Sequence, residues 1–265
     1  RDYYASRGLG DVYKRQAQDT SRYGEDLYKK RMLPELLREL CKIDSNFYIR
    51  VLYCYPDRMT DELIDTIASE PKVLKYIDLP LQHASGKLLK RMNRHGDREV
   101  LTELINKLRT KIPNLTIRTT FITGFPGETE EDFTELSEFV RDMRFDRMGC
   151  FAYSPEEDTP AAEFPDQIDD EVKKHRRDII MEQQAEIMAE KCESMIGKTI
   201  KVLFEGFDRY AECYYGRSSA DAPEVDGKVF FTVEGKKPAV GDIIDVEITD
   251  YIDCLLYTSP SPRDA

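Results

Sequence analysis

Between residues 27 and 190, short apolar runs alternate with longer amphipathic segments, and this pattern constrains the chain more than any other feature. Runs at 47–53, 73–79, 115–123 and 147–153 have strand length and composition, with helical patterns between them. Thr60 precedes Asp61 and Glu62, with Leu63, Ile64 and Ile67 behind them, and Pro71 closes the segment. Val100, Leu101, Leu104, Ile105 and Leu108 form a stripe at helical spacing. Thr129 caps a further segment whose first turn carries Glu130, Glu131 and Asp132, where negative charge suits the helix dipole. Its buried face is Phe133, Leu136, Val140 and Met143. Strands separated by helices pair in parallel through right-handed crossovers, so the region reads as an α/β domain.

A long charged helix at 169–195 ends this pattern. Short strands with glycine turns follow at 199–205, 210–215, 228–233 and 243–248, the signature of a small antiparallel β-barrel. The expected domains are therefore 17–194 and 195–253. The flanks, 1–16 and 254–265, break the periodicity and resemble translated sequencing-adapter read-through, so they are set aside from the fold reading.

Composition narrows the function. With 265 residues, 40% hydrophobic and 34% charged, two modest domains can each bury a core. No apolar run approaches the ~18 residues that cross a bilayer, so no membrane partner is expected. The 39 basic residues against 51 acidic ones leave a net charge of −12, which disfavours broad electrostatic binding of nucleic acid. The six cysteines, at 41, 54, 150, 192, 213 and 254, form neither CxxC nor CxxxCxxC and fit a reduced cytoplasmic compartment.

Strand alternation sorts the side chains by face. Ile77, Leu79 and Leu81 oppose Asp78 and Gln82; Leu115, Ile117 and Phe121 oppose Arg118, Thr120 and Ile122; Ile49 and Val51 oppose Arg50. Phe151 and Tyr153 share a face opposite Met148, Cys150 and Ala152. The apolar faces pack on helices, which sends Arg50, Asp78, Gln82, Arg118 and Thr120 to the barrel interior. So many polar residues there imply a ligand-lined cavity, with Gln82 and Arg118 near the strand ends as its best candidates. An internal ion pair, Arg50 with Asp78, is the alternative for those two residues. The turn Gly124-Phe125-Pro126-Gly127-Glu128-Thr129 joins a strand to a helix and suits either a close ligand approach or a plain structural turn. His83, one of three histidines, reads as a hydrogen-bonded structural residue, and no catalytic triad or metal set assembles from these residues.

The segments AQDTSRYGEDLY (17–28), RVLYCYP (50–56), YIDLPLQHAS (76–85), LLKRMNR (88–94), IRTTFITGFPGETEEDF (117–133) and FAYSPEEDTPAA (151–162) together resemble the radical S-adenosylmethionine methylthiotransferase family. The final barrel resembles a TRAM domain. The resemblance implies a partial open (β/α)6 barrel lacking its first strand, with S-adenosylmethionine cradled by the remaining strands. Gln82 and Arg118 fall where such enzymes contact the cofactor's ribose and carboxylate. Ile122, the turn from Gly124 and Gly127 to Glu128, and Phe151 or Tyr153 fall near its adenine. The segment GRSSADAPEVDG (216–227) resembles the branch that methylthiolates the β-carbon of an aspartate in the small-subunit ribosomal protein numbered twelve.

Residues 193–253 carry thirteen acidic and seven basic residues, a net of −6, which suits a basic ribosomal protein better than RNA. Asp221, Glu224 and Asp226 are the candidate contacts. The related transfer-RNA branch, acting on isopentenyl-adenosine, is the alternative enzyme. The family's 4Fe–4S clusters are held by cysteine triplets that this chain does not contain, so the chain alone is expected to be inactive. A gene without those cysteines would instead encode a non-catalytic binding module.

Overall fold

The computed structural model describes residues 19–257 apart from 224, 234–236 and 253–254. The flank 1–16 and residues 254 and 258–265 of the flank 254–265 lie outside the described residues, whereas 255–257 of that second flank form a strand of the second sheet. In the first part of the chain, helices α1 (Glu25–Tyr28) and α2 (Leu33–Cys41) precede β1 (Ile49–Val51). Then come α3 (Asp61–Ser69), β2 (Val73–Asp78), α4 (Gly86–Arg91), α5 (Arg98–Lys111), β3 (Thr116–Thr123), α6 (Glu130–Met143), β4 (Arg147–Ala152) and the long α7 (Asp170–Glu193). The described residues divide into two compact units that part between Ile187 and Met188, inside α7.

In the first unit β1, β2, β3 and β4 lie side by side in sequence order, every pair parallel. The caps read from the sequence form as expected. Thr60 accepts the Leu63 N–H, and Thr129 and Asp132 close a reciprocal capping box at the start of α6. The burial of β3 alternates strictly: Ile117, Thr119, Phe121 and Thr123 are buried, while Arg118, Thr120 and Ile122 are half-exposed. The buried face meets the helices. Phe121 packs edge-on against Phe139 of α6 and against Phe145, with centroids 6.2 and 5.6 Å apart. Leu63, Ile64 and Ile67 of α3 and Leu101, Ile105 and Leu108 of α5 complete this core. Val100, expected in the stripe, is 53% exposed, and Phe139, which the stripe of α6 omitted, is buried in its place in the core.

In the second unit β5 (Thr199–Asp208), β6 (Cys213–Ser218), β7 (Val229–Phe231), β8 (Ile243–Glu247), β9 (Asp250–Ile252) and β10 (Leu255–Tyr257) form one sheet in the order β8-β5-β6-β7-β10-β9. All pairs are antiparallel except β10 with β7. Val202, Phe204, Val229, Phe231, Val246 and Ile248 make its core. Gly216 is required where β6 crosses β5, since a Cβ there would strike the Leu203 carbonyl. Among the described residues, no helix is long and apolar enough to cross a membrane.

Candidate cofactor-binding face

The face of the parallel sheet turned away from the helices carries the residues singled out by strand alternation. Gln82 follows β2 in a left-handed conformation, φ 72°, which lets its backbone continue the ladder. Its N–H donates to Thr120 O and its carbonyl accepts from Ile122 N–H, each at 2.8 Å. Ile122 is in turn the register partner of Phe151, which is 63% exposed. Gln82, Ile122 and Phe151 thus form one row across three strands.

A second row lies four residues back along β3, roughly 13 Å at strand rise. Here Asp78 and Arg118 are register partners, and Arg147 pairs with Arg118 on the other side. Asp78 is buried, at 2% exposure, and its Oδ2 stands 3.6 Å from Arg118 Nη1. The Arg50 guanidinium lies 4.2 Å over the Tyr76 ring. The Arg118 guanidinium makes no hydrogen bond among the described residues. The two rows together offer a cation with open donors at one level and a polar amide with flat apolar cover at the next.

The rim turns are held differently. Glu128 is fully withdrawn from solvent, and both of its carboxylate oxygens are engaged. Oε2 accepts the Gly124 N–H at 2.8 Å and Oε1 accepts from Arg176 Nη1 of α7 at 2.7 Å. Arg176 also reaches Glu130. His83, likewise buried, accepts the Ser85 N–H at Nδ1, so a neutral ring carries its proton on Nε2, 3.3 Å from Glu128 Oε2. Beside it, Ser85 Oγ donates to Asp132 Oδ1 at 2.7 Å and Lys87 Nζ to Oδ2 at 2.9 Å. Burial pushes the Asp132 carboxyl up, but bonds from the Thr129 N–H, Ser85, Lys87 and the Thr129 hydroxyl outweigh it and bring it down to about 2.

The glycines of this turn serve packing. A Cβ on Gly124, φ 71°, would strike the Lys173 side chain, and one on Gly127, φ 82°, would strike Asp166 and Arg91. The Tyr153 ring packs edge-on against Phe125 at 5.2 Å with Lys173 Nζ 5.5 Å over it, and burial raises its phenol. Lys173 and Arg176 were missed in the sequence. Two cations in the first turns of a helix oppose its dipole, which is the signal that an anion waits for them.

In the second unit Asp221 is buried, and its carboxylate accepts from the Ser218 N–H and hydroxyl at 3.0 and 2.6 Å. Asp226 accepts the Ala222 N–H at 2.7 Å, and Glu224 lies outside the described residues. Asp221 therefore braces its own turn, and Asp226 is the half-exposed carboxylate of the pair.

These residues suit a zwitterionic nucleoside ligand such as S-adenosylmethionine: an anion seat at Arg118 and an apolar slot at Ile122 and Phe151. They do not suit an iron–sulfur cluster. Among the described residues no three His, Cys, Asp or Glu side chains converge. Burial pushes the Cys54 and Cys150 thiols up to about 12, away from the thiolate that iron needs.

Residues 23–140 match the Radical SAM superfamily and residues 196–258 match the TRAM domain. The α/β unit is thus a radical S-adenosylmethionine domain, and the β unit is a TRAM domain. Three of the relatives it is similar to share one name. The ribosomal protein uS12 methylthiotransferase RimO of Lachnoclostridium phytofermentans is 50% identical over 88% of this chain and 53% of its own length. Those of Desulfitobacterium hafniense and Caldanaerobacter subterraneus are 48% and 51% identical over 92% and 88% of this chain. The chain spans about half the length of these relatives, 54% and 53% for the latter two.

Proposed function

We propose that this chain is the cofactor-cradling and substrate-docking part of a methylthiotransferase that acts on a small-subunit ribosomal protein. The observation that carries the reading is the pair of rows on the open sheet face, Gln82–Ile122–Phe151 above the open-handed Arg118, in a chain about half identical to uS12 methylthiotransferases. S-adenosylmethionine, when bound, supplies the family's radical chemistry. The chain's own residues orient it. Arg118 takes the cofactor's carboxylate through charge-assisted bonds. Gln82 offers its amide to the ribose hydroxyls, and Ile122 and Phe151 cover the adenine. Tyr153 borders this slot, while Gly124, Gly127 and Glu128 set the shape of its wall.

The TRAM domain, at a net of −6 over residues 193–253, attracts a basic ribosomal protein and repels RNA phosphates. Asp226, with Asp221 fixing the turn, is the first contact to test, and Glu224 the second. The compartment is the cytoplasm, where the ribosome is built. The test is mass spectrometry of the ribosomal protein and of total transfer RNA after incubation with the full-length enzyme, S-adenosylmethionine and a reductant. A methylthio mass gain on the ribosomal protein is expected. A gain confined to transfer RNA, or none on either, overturns the reading.

A further inference from the structure

Two neighbouring strands of the parallel sheet end in a residue that breaks their backbone pattern. Among the described residues, the other non-glycine positions at positive φ are turns and helix ends, such as Lys29 and Arg144. Gln82 after β2, φ 72°, and Tyr53 after β1, φ 58°, sit instead inside a continuing ladder. Beyond Tyr53 the Cys54 N–H still donates to Asp78 O at 2.9 Å, just as Gln82 still pairs with β3.

The extra residue sets a direction. Val51 and Cys54 both belong to the helix-covered core, yet they are three positions apart rather than two. A bulge at Tyr53 absorbs the difference and turns Leu52 and Tyr53 to the other side of the sheet. An aromatic residue adopts left-handed φ only when its surroundings impose it. Here the Tyr53 carbonyl accepts the Thr20 N–H at 3.0 Å, and the Tyr53 N–H donates to Asp78 Oδ2 at 3.4 Å. The residue so turned out is 47% exposed.

A shared neighbour places Tyr53 beside Arg118. Asp78 Oδ2 lies 3.4 Å from the Tyr53 nitrogen and 3.6 Å from Arg118 Nη1, so the tyrosine borders the carboxylate seat. Three other tyrosines of this unit already carry a cation over the ring: Arg50 on Tyr76 at 4.2 Å, Arg94 on Tyr55 at 4.4 Å and Lys173 on Tyr153 at 5.5 Å. Among the described residues no cation and no second ring covers Tyr53. S-adenosylmethionine carries its sulfonium a short aliphatic chain away from its carboxylate. With that carboxylate on Arg118, and Arg147 in register beside it, the positive sulfur lies among like charges unless an electron-rich surface faces it.

We propose that Tyr53 is a further cofactor-binding residue, whose ring face receives the sulfonium of S-adenosylmethionine while Arg118 holds the carboxylate. This rests on the reading of the face as the cofactor seat. The bulge keeps the ring at that seat; a regular strand would send it into the core.

The test uses the full-length, cluster-loaded enzyme without reductant and measures two dissociation constants by equilibrium dialysis. One ligand is S-adenosylmethionine; the other is S-adenosylhomocysteine, which keeps the carboxylate, ammonium and nucleoside but has a neutral sulfur. Tyr53→Leu is expected to weaken S-adenosylmethionine by roughly threefold to tenfold, the range of one cation–π contact, and S-adenosylhomocysteine by less than about twofold. Tyr53→Phe keeps a ring and should hold both constants within about twofold of the parent. Equal losses for the two ligands in Tyr53→Leu, no loss for either, or a loss in Tyr53→Phe as large as that in Tyr53→Leu overturns the proposal and leaves the cofactor reading standing. Arg118→Ala should weaken both ligands alike, and no change there overturns both readings. If Tyr53→Leu does not fold, Tyr53→Gly adopts the same backbone without strain and removes the ring, and the same comparison of the two ligands decides.

Discussion

The Glu128–Arg176 cluster and the Asp78–Arg118 pair each bury a carboxylate beside a guanidinium, yet they are built to different ends. At the rim both oxygens of Glu128 have short partners, the Gly124 N–H and Arg176 of α7, and the buried His83 Nε2 stands 3.3 Å from Oε2 without a hydrogen bond. On the open sheet face the carboxylate is equally buried, but the Arg118 side chain is 27% exposed and its guanidinium makes no hydrogen bond among the described residues. A guanidinium spent on short bonds to carboxylates marks a brace; one whose donors face solvent is open to a ligand. The contrast separates two kinds of polar residue that the sequence offers without distinction.

The largest effect that can break this contrast is at Arg176. Arg176→Met leaves Glu128 buried with its main counter-charge gone, and is expected to destabilise the protein by about 3–5 kcal/mol in a denaturant titration. Arg118→Met should cost roughly 1 kcal/mol, since its guanidinium is partly solvated and makes one loose contact. Equal losses at the two sites would erase the distinction.

Gly124 tests whether the turn is shaped by packing or by a ligand. Its φ of 71° and the Lys173 side chain against its Cα both forbid a Cβ. Gly124→Ala is therefore expected to cost roughly 2–3 kcal/mol of stability with no cofactor present. A variant as stable as the parent, but impaired in S-adenosylmethionine binding, would return this glycine to the ligand.

The fold was legible because its signals are local and repeated. Thr60 and Thr129 announce their helices, and the two-residue period of β3 correctly sends Arg118, Thr120 and Ile122 to one face and Ile117 and Phe121 to the other. The site was legible only to the level of a face. Period-2 reasoning placed Asp78 and Arg118 on one face but could not give the register, and it is register that sets them side by side. The rim brace was hidden further still, because it joins residues 83, 128 and 176, whose separation in sequence carries no periodic signal. Tyr53 and Gln82 were invisible as backbone features, since neither residue type advertises positive φ.

Asp132 sharpens the picture of the rim through pH. Its carboxyl, ordinarily at 3.8, is held at about 2 in the folded protein. A depressed value means the charged form favours the folded state, so the contribution is complete above about pH 4 and fades as pH falls toward 2. The size is about 2 kcal/mol from that shift. Unfolding free energies of the parent and Asp132→Asn, measured at pH 6 and pH 3, should therefore converge at the lower pH. A gap that stays constant would place the stabilisation elsewhere.

The smallest effect is a control on the whole comparison. Thr60 caps α3 through one bond, to the Leu63 N–H at 3.3 Å, and belongs to neither charged cluster. Thr60→Ala should cost about 1 kcal/mol, the usual loss for an N-cap. The cost should add to that of Arg176→Met without coupling, since the two share no partner. Thr129→Ala differs because the same Asp132 that completes its capping box also receives Ser85 and Lys87. Combined with Ser85→Ala, it should lose less than the sum of the two single losses, because either change already loosens the carboxylate that both residues hold. Strict additivity there would mean that the two rim turns are capped side by side but not braced to each other.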